Sequence, residues 1–428
     1  MAKAKAASRK SSDETPARAS AKSARSGSAE PAGAAGRGSR RDSRLPGPAD
    51  SALGVAVGSE GITEVAEKRA RLKAYLEAHR LDCLLLSSQA LFSWYTGGYE
   101  NRVVLADTGG AAVIVADAQR DVIVTTNIEA TRLRHETDLE ARGFTIREVP
   151  WFNEDDYPAE IRAAIGDRRC RSEMNHPKLA TVDEDFFELT YALSDPEVAR
   201  YRQLGRDCSE AMEEALETIQ PGMREFEVSA AMAKSLLSRG VLPNLVLVAS
   251  DERLKLYRHP LCTPKRIKKA VMAVLCGKRN GLIVNMTRLL HFGPVPADLR
   301  RRTDAVLRVD VAVNHDTRVG TPVSDIFRRL VNTYREVGYP DEWRLHHQGG
   351  PTGYQGRSYK ANFEEHRRVL RQQAFAWNPS IAGTKSEDTI LVHQNGIEFL
   401  SQPVRGPSVK VATPDGSAQY ARADIICR

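Results

Sequence analysis

Two short segments hold the side chains best suited to chemistry. Tyr257-Arg258-His259-Pro260 places a histidine, whose near-neutral pKa suits it to moving protons, beside a guanidinium that can bind a carboxylate through two hydrogen bonds. Leu345-His346-His347-Gln348-Gly349-Gly350-Pro351-Thr352-Gly353-Tyr354 is the least generic stretch of the chain. Its glycines let backbone approach a ligand closely, and on a strand the two histidines are expected to face opposite ways. The glycines follow neither the Walker nor the Rossmann spacing, which sets a phosphate loop aside. Arg288, His291, Asn378, Trp94 and the pair Glu387-Asp388 complete the candidates. Each has a plainer reading: a histidine satisfied by a carbonyl, an arginine paired with an acid, a tryptophan in a core.

The elements that must position these residues follow from periodicity. Ala66–His79 reads as an amphipathic helix and Cys83–Leu86 as a buried strand. Strands are expected at Arg102–Ala106, Ala112–Ala116 and Val122–Thr125, and a helix over Ile128–Ala141, which together make an α/β layer. Ser194-Asp195-Pro196-Glu197 starts a helix that runs to Ile219, with a second over Glu225–Ser238. Strands Val271–Cys276 and Leu282–Leu290 flank a Gly277–Gly281 hairpin turn; helices follow at Ala297–Val306 and Val323–Val337, then strands including Ala374–Asn378 and Thr389–His393.

Bulk composition bounds the class. At 428 residues and 41% hydrophobic, the chain has material for two packed domains. The net charge of +7 is concentrated in residues 1–50, where 11 Lys/Arg face 5 Asp/Glu. The remaining body is nearly neutral, so nucleic acid is not an expected partner. Residues 1–58 lack aromatics and are rich in Ala, Ser, Gly and Pro, the composition of a disordered tail. No apolar run reaches membrane-spanning length, so no membrane partner is expected. Six scattered cysteines without a CxxC pair suit a reducing cytoplasm.

The order of these features resembles the creatinase, aminopeptidase P and prolidase family over roughly residues 62–402. A helix pair, a His-bearing loop, a glycine-turn hairpin ending in Thr287-Arg288, a His/Gly-rich strand, Asn378-Pro379 and Glu387-Asp388 occur in that sequence. The resemblance implies an amino-terminal α/β domain over 62–194 and a pita-bread domain over 195–428, hence an α/β (α+β) protein and a homodimer. In the metallopeptidases of that family two divalent ions sit among two Asp, one His and two Glu. The matching positions here are Val274, Asn285, Gly350, Asn378 and Glu387, so one carboxylate survives of four, and no metal or other cofactor is expected.

His259 matches the histidine that metal-free creatinase uses as general acid/base, and His346 matches the first family histidine, so His346 is the one expected to face the pocket. The resemblance thus implies a metal-independent hydrolase of a small amide, amidine or cyclic C–N bond, with His259 moving the proton and Glu387 orienting it. Arg258, Arg288, His291, His346, His347, Tyr354 and Asn378 would line a neutral-to-cationic pocket for a small molecule or short peptide bearing an anionic group. Trp94 would roof it from the partner subunit. Two other functions compete, a binding protein without turnover and an Xaa-Pro metallopeptidase.

Overall fold

Buried Val65, Leu72 and Leu76, with charged residues between them, give α1 (Ser59–His79) one apolar face. The computed structural model describes Val55 and residues 58–428; the expected disordered tail lies almost wholly outside them. Strands β1 (Cys83–Ser88), β2 (Gly109–Ala116), β3 (Val122–Thr126), β4 (Thr145–Val149) and β5 (Cys170–Ser172) form one sheet in the order β4-β3-β2-β1-β5. Helices α2 (Gln89–Thr96), α3 (Asn127–Glu136) and α4 (Asp156–Ile165) alternate with them. Along β1 the alternation divides the core: Leu84 and Leu86 join one apolar cluster, Cys83 and Leu85 another on the opposite face.

Two expectations for this domain fail. Arg102–Ala106 is not a strand, and Val103, Val104 and Leu105 stand 59, 52 and 61% exposed. The Gln89 amide instead ties down the carbonyls of Val104, Asp107 and Gly109, holding the segment as a turn. The helix expected to reach Ala141 stops at Glu136, because Thr137 turns extended and its hydroxyl caps the Leu133 carbonyl.

The second half begins at α5 (Asp195–Thr218), where Glu197 reaches back 2.7 Å to the Ser194 amide in a capping box. It continues through α6 (Glu225–Leu237), β6 (Leu242–Ser250), α7 (Arg253–Leu256), β7 (Ala270–Arg279), β8 (Leu282–His291), α8 (Ala297–Asp316) and α9 (Val323–Glu336). Strands β9 (Gly349–Thr352), β10 (Ala374–Trp377), β11 (Ser380–Ile381), β12 (Thr384–Lys385), β13 (Asp388–His393), β14 (Gly396–Phe399), β15 (Ser408–Ala412), β16 (Gln419–Ala423) and β17 (Ile426–Cys427) close the chain.

Two four-stranded sheets, β17-β8-β7-β6 and β14-β13-β10-β9, carry the architecture. They meet where Thr287 of β8 bridges to Glu387 just before β13, its amide donating 3.0 Å to the Glu387 carbonyl. The pair α5/α6 covers the first sheet and α8/α9 the second. The β7–β8 turn is Asn280-Gly281, with φ of 51° and 79°, the left-handed pair that a two-residue hairpin requires. Helix α5 is joined to α1 of the amino-terminal domain through a buried polar network. Lys68 of α1 contacts Glu64 at 2.6 Å and Glu197 of α5 at 2.9 Å; Arg200 of α5 reaches Glu64 at 2.6 and 2.8 Å. Among the described residues no helix is long and apolar enough to cross a membrane.

Candidate functional site

His259 lies in the loop after α7, and His346 and His347 follow a single 3₁₀ turn, Glu342–Leu345. The fold brings all three together. His259 Nε2 lies 3.1 Å from His346 Nε2, and the ring centroids of His346 and His347 are 4.6 Å apart. The expectation that only one of the two adjacent histidines faces the site is therefore corrected. Residues 346–348 precede β9 and are not in a strand, so strict alternation does not apply to them. His346 is buried, His347 half-buried and His259 exposed, so the cluster opens outward through His259.

Burial and the nearby Lys385 ammonium lower the pKa of all three imidazoles. His259 moves down; His346 falls to about 2, with the other two histidines and Arg258 adding to the effect; His347 falls to about 4, Arg357 being its strongest charged neighbour. The rings are neutral at pH 7 and present lone pairs. Ser380 Oγ sits 3.4 Å from His346 Nδ1, on the far side of that ring from His259.

Glu387 is buried behind the cluster. Its Oε2 accepts from Thr287 Oγ1 at 2.8 Å and pairs with Lys385 Nζ at 2.6 Å, while Arg357 lies 3.8 Å from its Oε1. Burial alone would raise its pKa; Lys385 and Arg357 outweigh burial and hold it below the usual carboxylate value. Arg258 is tethered to Glu342. Lys385 was not singled out from the sequence; its signal was its place two residues before Glu387, the i, i+2 spacing that puts both side chains on one face of an extended segment.

Other candidates are placed elsewhere. Arg288 follows Thr287 on β8 and so points to the opposite face, where it pairs with Asp388 at 2.9 Å and donates to the Ser401 carbonyl. His291 bonds the Gly293 carbonyl at 3.0 Å and lines a separate cavity of about 400 Å³ with Lys268, Lys269 and Arg302. Tyr354 is buried at the domain junction, its hydroxyl donating to Glu197 at 2.6 Å. Trp94 is fully enclosed in the amino-terminal core. Asn378 is buried, and its Oδ1 has no hydrogen-bond partner.

The five positions that the sequence matched to metal ligands do not fit a two-ion centre. Val274 packs in an apolar cluster with Met272 and Leu289. The Asn285 amide donates to Thr352 Oγ1 at 2.9 Å and accepts from Cys276, a neutral surrounding. Gly350 has φ +148°, and a Cβ there would lie 2.4 Å from the Tyr359 carbonyl oxygen. Asn378 adds no charge, and Glu387 already serves Lys385 and Thr287.

Residues 199–394 match metallopeptidase family M24, and residues 68–193 match the creatinase/prolidase amino-terminal domain. An uncharacterized peptidase of Staphylococcus haemolyticus is 24% identical over 233 residues, which is 51% of this chain and 65% of that relative's length. The Xaa-Pro dipeptidase from Bacillus anthracis superposes with a TM-score of 0.66 at 17% identity, covering 85% of this chain and 100% of that one. The prolidase from Pyrococcus horikoshii OT3 gives 0.67 at 17% identity, covering 79% and 99%. With both domains matched in order, over residues 68–193 and 199–394, the chain belongs to the creatinase/prolidase-like family.

Proposed function

We propose that the protein hydrolyses a carbon–nitrogen bond of a small amide, amidine, cyclic substrate or short peptide, without the two-ion centre of its metallopeptidase relatives. The observation that carries this reading is the convergence of His259, His346 and His347 in front of a buried, ionised Glu387. His259 is the member a substrate meets first. In the reaction, a water oxygen bonds to the carbonyl or amidino carbon, the carbon–nitrogen bond breaks, and the proton released by water goes to the leaving nitrogen. Lys385, Arg357 and Arg258 outnumber Glu387 and Glu342 around the cluster, which favours a substrate with an anionic group. The free cysteines are consistent with a reducing cytoplasm. Family resemblance adds a homodimer.

The test is turnover by the full chain across a panel of carboxylated amides, amidines, lactams and dipeptides. His259→Ala is expected to abolish it at an unchanged thermal midpoint; full activity in that variant would remove the cluster from the mechanism. The replaced ligands at Val274, Asn285, Gly350 and Asn378, three acids and a histidine in the family, also favour a second reading, a binding protein without turnover. Specific binding of one panel member with no product formed would select it.

A further inference from the structure

We infer that His259, His346 and His347 form a site for a single first-row divalent cation, distinct from the family's two-ion centre and built from none of its five positions. Each residue offers one ring nitrogen, and the three nitrogens lie within 4.8 Å of one another. Two nitrogens bound to one tetrahedral zinc at about 2.0–2.1 Å must sit about 3.3 Å apart. His259 Nε2 and His346 Nε2 are 3.1 Å apart, so two of three ligands are already placed.

Two further observations point to a ligand. His347 Nδ1 is buried with no hydrogen-bond partner, a costly state that an ion removes. Ser380 Oγ, 3.4 Å from His346 Nδ1, can accept a hydrogen bond from that nitrogen in the tautomer that leaves the Nε2 lone pair directed at His259. Three neutral imidazoles with no thiolate or carboxylate suit zinc, cobalt, nickel or copper rather than magnesium or calcium. The fourth position opens outward past His259, the exposed member. The cationic surroundings, Lys385 foremost, favour an anion there: hydroxide or a substrate carboxylate.

The site revises the metal-free expectation, which weighed only the family's five positions. It goes beyond the proposed hydrolysis, because ion binding is measurable whether or not a substrate is turned over. If the hydrolysis reading also holds, the ion polarises the bound water or carbonyl.

The experiment is titration of the chelator-treated full chain with cobalt(II) and zinc(II), read by elemental analysis, calorimetry and the visible absorption of cobalt. One ion per chain with a four-coordinate cobalt spectrum is expected, and zinc is expected to raise the thermal midpoint. His346→Ala and His347→Ala are each expected to weaken binding more than about 100-fold, since even an outer-shell partner is worth about 10–100-fold. His346→Gln and His347→Gln serve as second variants, with circular dichroism reporting the fold. His79, Asp183 and Asp185 make a surface group of similar spacing, so Asp185→Ala is the control and is expected to keep the ion. Three results would overturn the site: no ion bound, an ion lost with Asp185→Ala, or two ions per chain that depend on Glu387 and survive His347→Ala. Bound ion without turnover would leave the site standing and sink the hydrolysis reading; turnover with no ion bound and no effect of chelator would do the reverse.

Discussion

Gly350 and the Lys385–Glu387 pair account for much of the site's character. A side chain at position 350 meets the Tyr359 carbonyl and requires a left-handed backbone, so Gly350→His does not rebuild the family centre. We expect that variant to lose more than about 2 kcal/mol of unfolding free energy in a denaturant titration and to bind no second ion. Glu387 and Lys385 are both nearly inaccessible. Breaking a buried pair by removing one partner costs about 3–5 kcal/mol, so Glu387→Gln is expected to unfold at markedly lower urea, whereas Glu387→Met with Lys385→Met recovers most of the loss. At this scale the sequence points to His259, His346 and Glu387 through their family positions, and the fold places them near one another. The sequence does not decide between His346 and His347, because the glycine-rich segment reads as a strand on which the two would face opposite ways. It missed Lys385 because a lysine beside an acid reads as a solvated pair until its burial is known.

At the scale of elements, the phase of β8 decides which residues meet the site. Asn285 and Thr287 share one face, and Arg288 is on the other, held by Asp388 and the Ser401 carbonyl, with Arg422 also 2.9 Å from Asp388. Arg288→Met is therefore expected to cost about 2–3 kcal/mol while leaving the KM of any substrate unchanged, because Asp388 keeps one guanidinium. A raised KM at unchanged stability would return Arg288 to the substrate. The sequence showed that β8 exists but not its phase, since β8 is buried along its whole length and lacks polar alternation. Strand β6 went unread because Pro243 and Asn244 interrupt its apolar run, though both sit where the pairing with β7 shifts register. Helix α5 was legible because its Ser-x-x-Glu capping box is a local signal that needs no tertiary context.

For the whole molecule, the junction network of Glu64, Lys68, Glu197, Arg200 and Tyr354 sets the response to acid. Burial alone would raise the Glu64 pKa, but Lys68 and Arg200 bring it from 4.5 down to about 2. A depressed carboxylate binds fewer protons folded than unfolded, so its stabilisation is complete above pH 4.5 and is lost as pH falls toward 2. We expect the thermal midpoint to drop steeply over that window in the native chain, and less in a Glu64→Gln/Arg200→Met variant. The two domains are also expected to melt in one calorimetric transition, since separating them strands charges on both sides; two resolved transitions would show that the network does not couple them.

The same junction has a mechanical consequence. A hinge between the domains would have to pull two carboxylates from two cations before water could reach any of them, so the amino-terminal domain acts as a fixed wall. Access to His259 is then set by the short loop that carries it, where Leu256, Tyr257 and Leu261 are exposed but Arg253 stacks 5.2 Å from the Tyr257 ring centroid and donates to the Leu261 carbonyl at 2.8 Å. Substrate would reach the exposed His259 ring directly, without waiting for the slow closure of one domain on another.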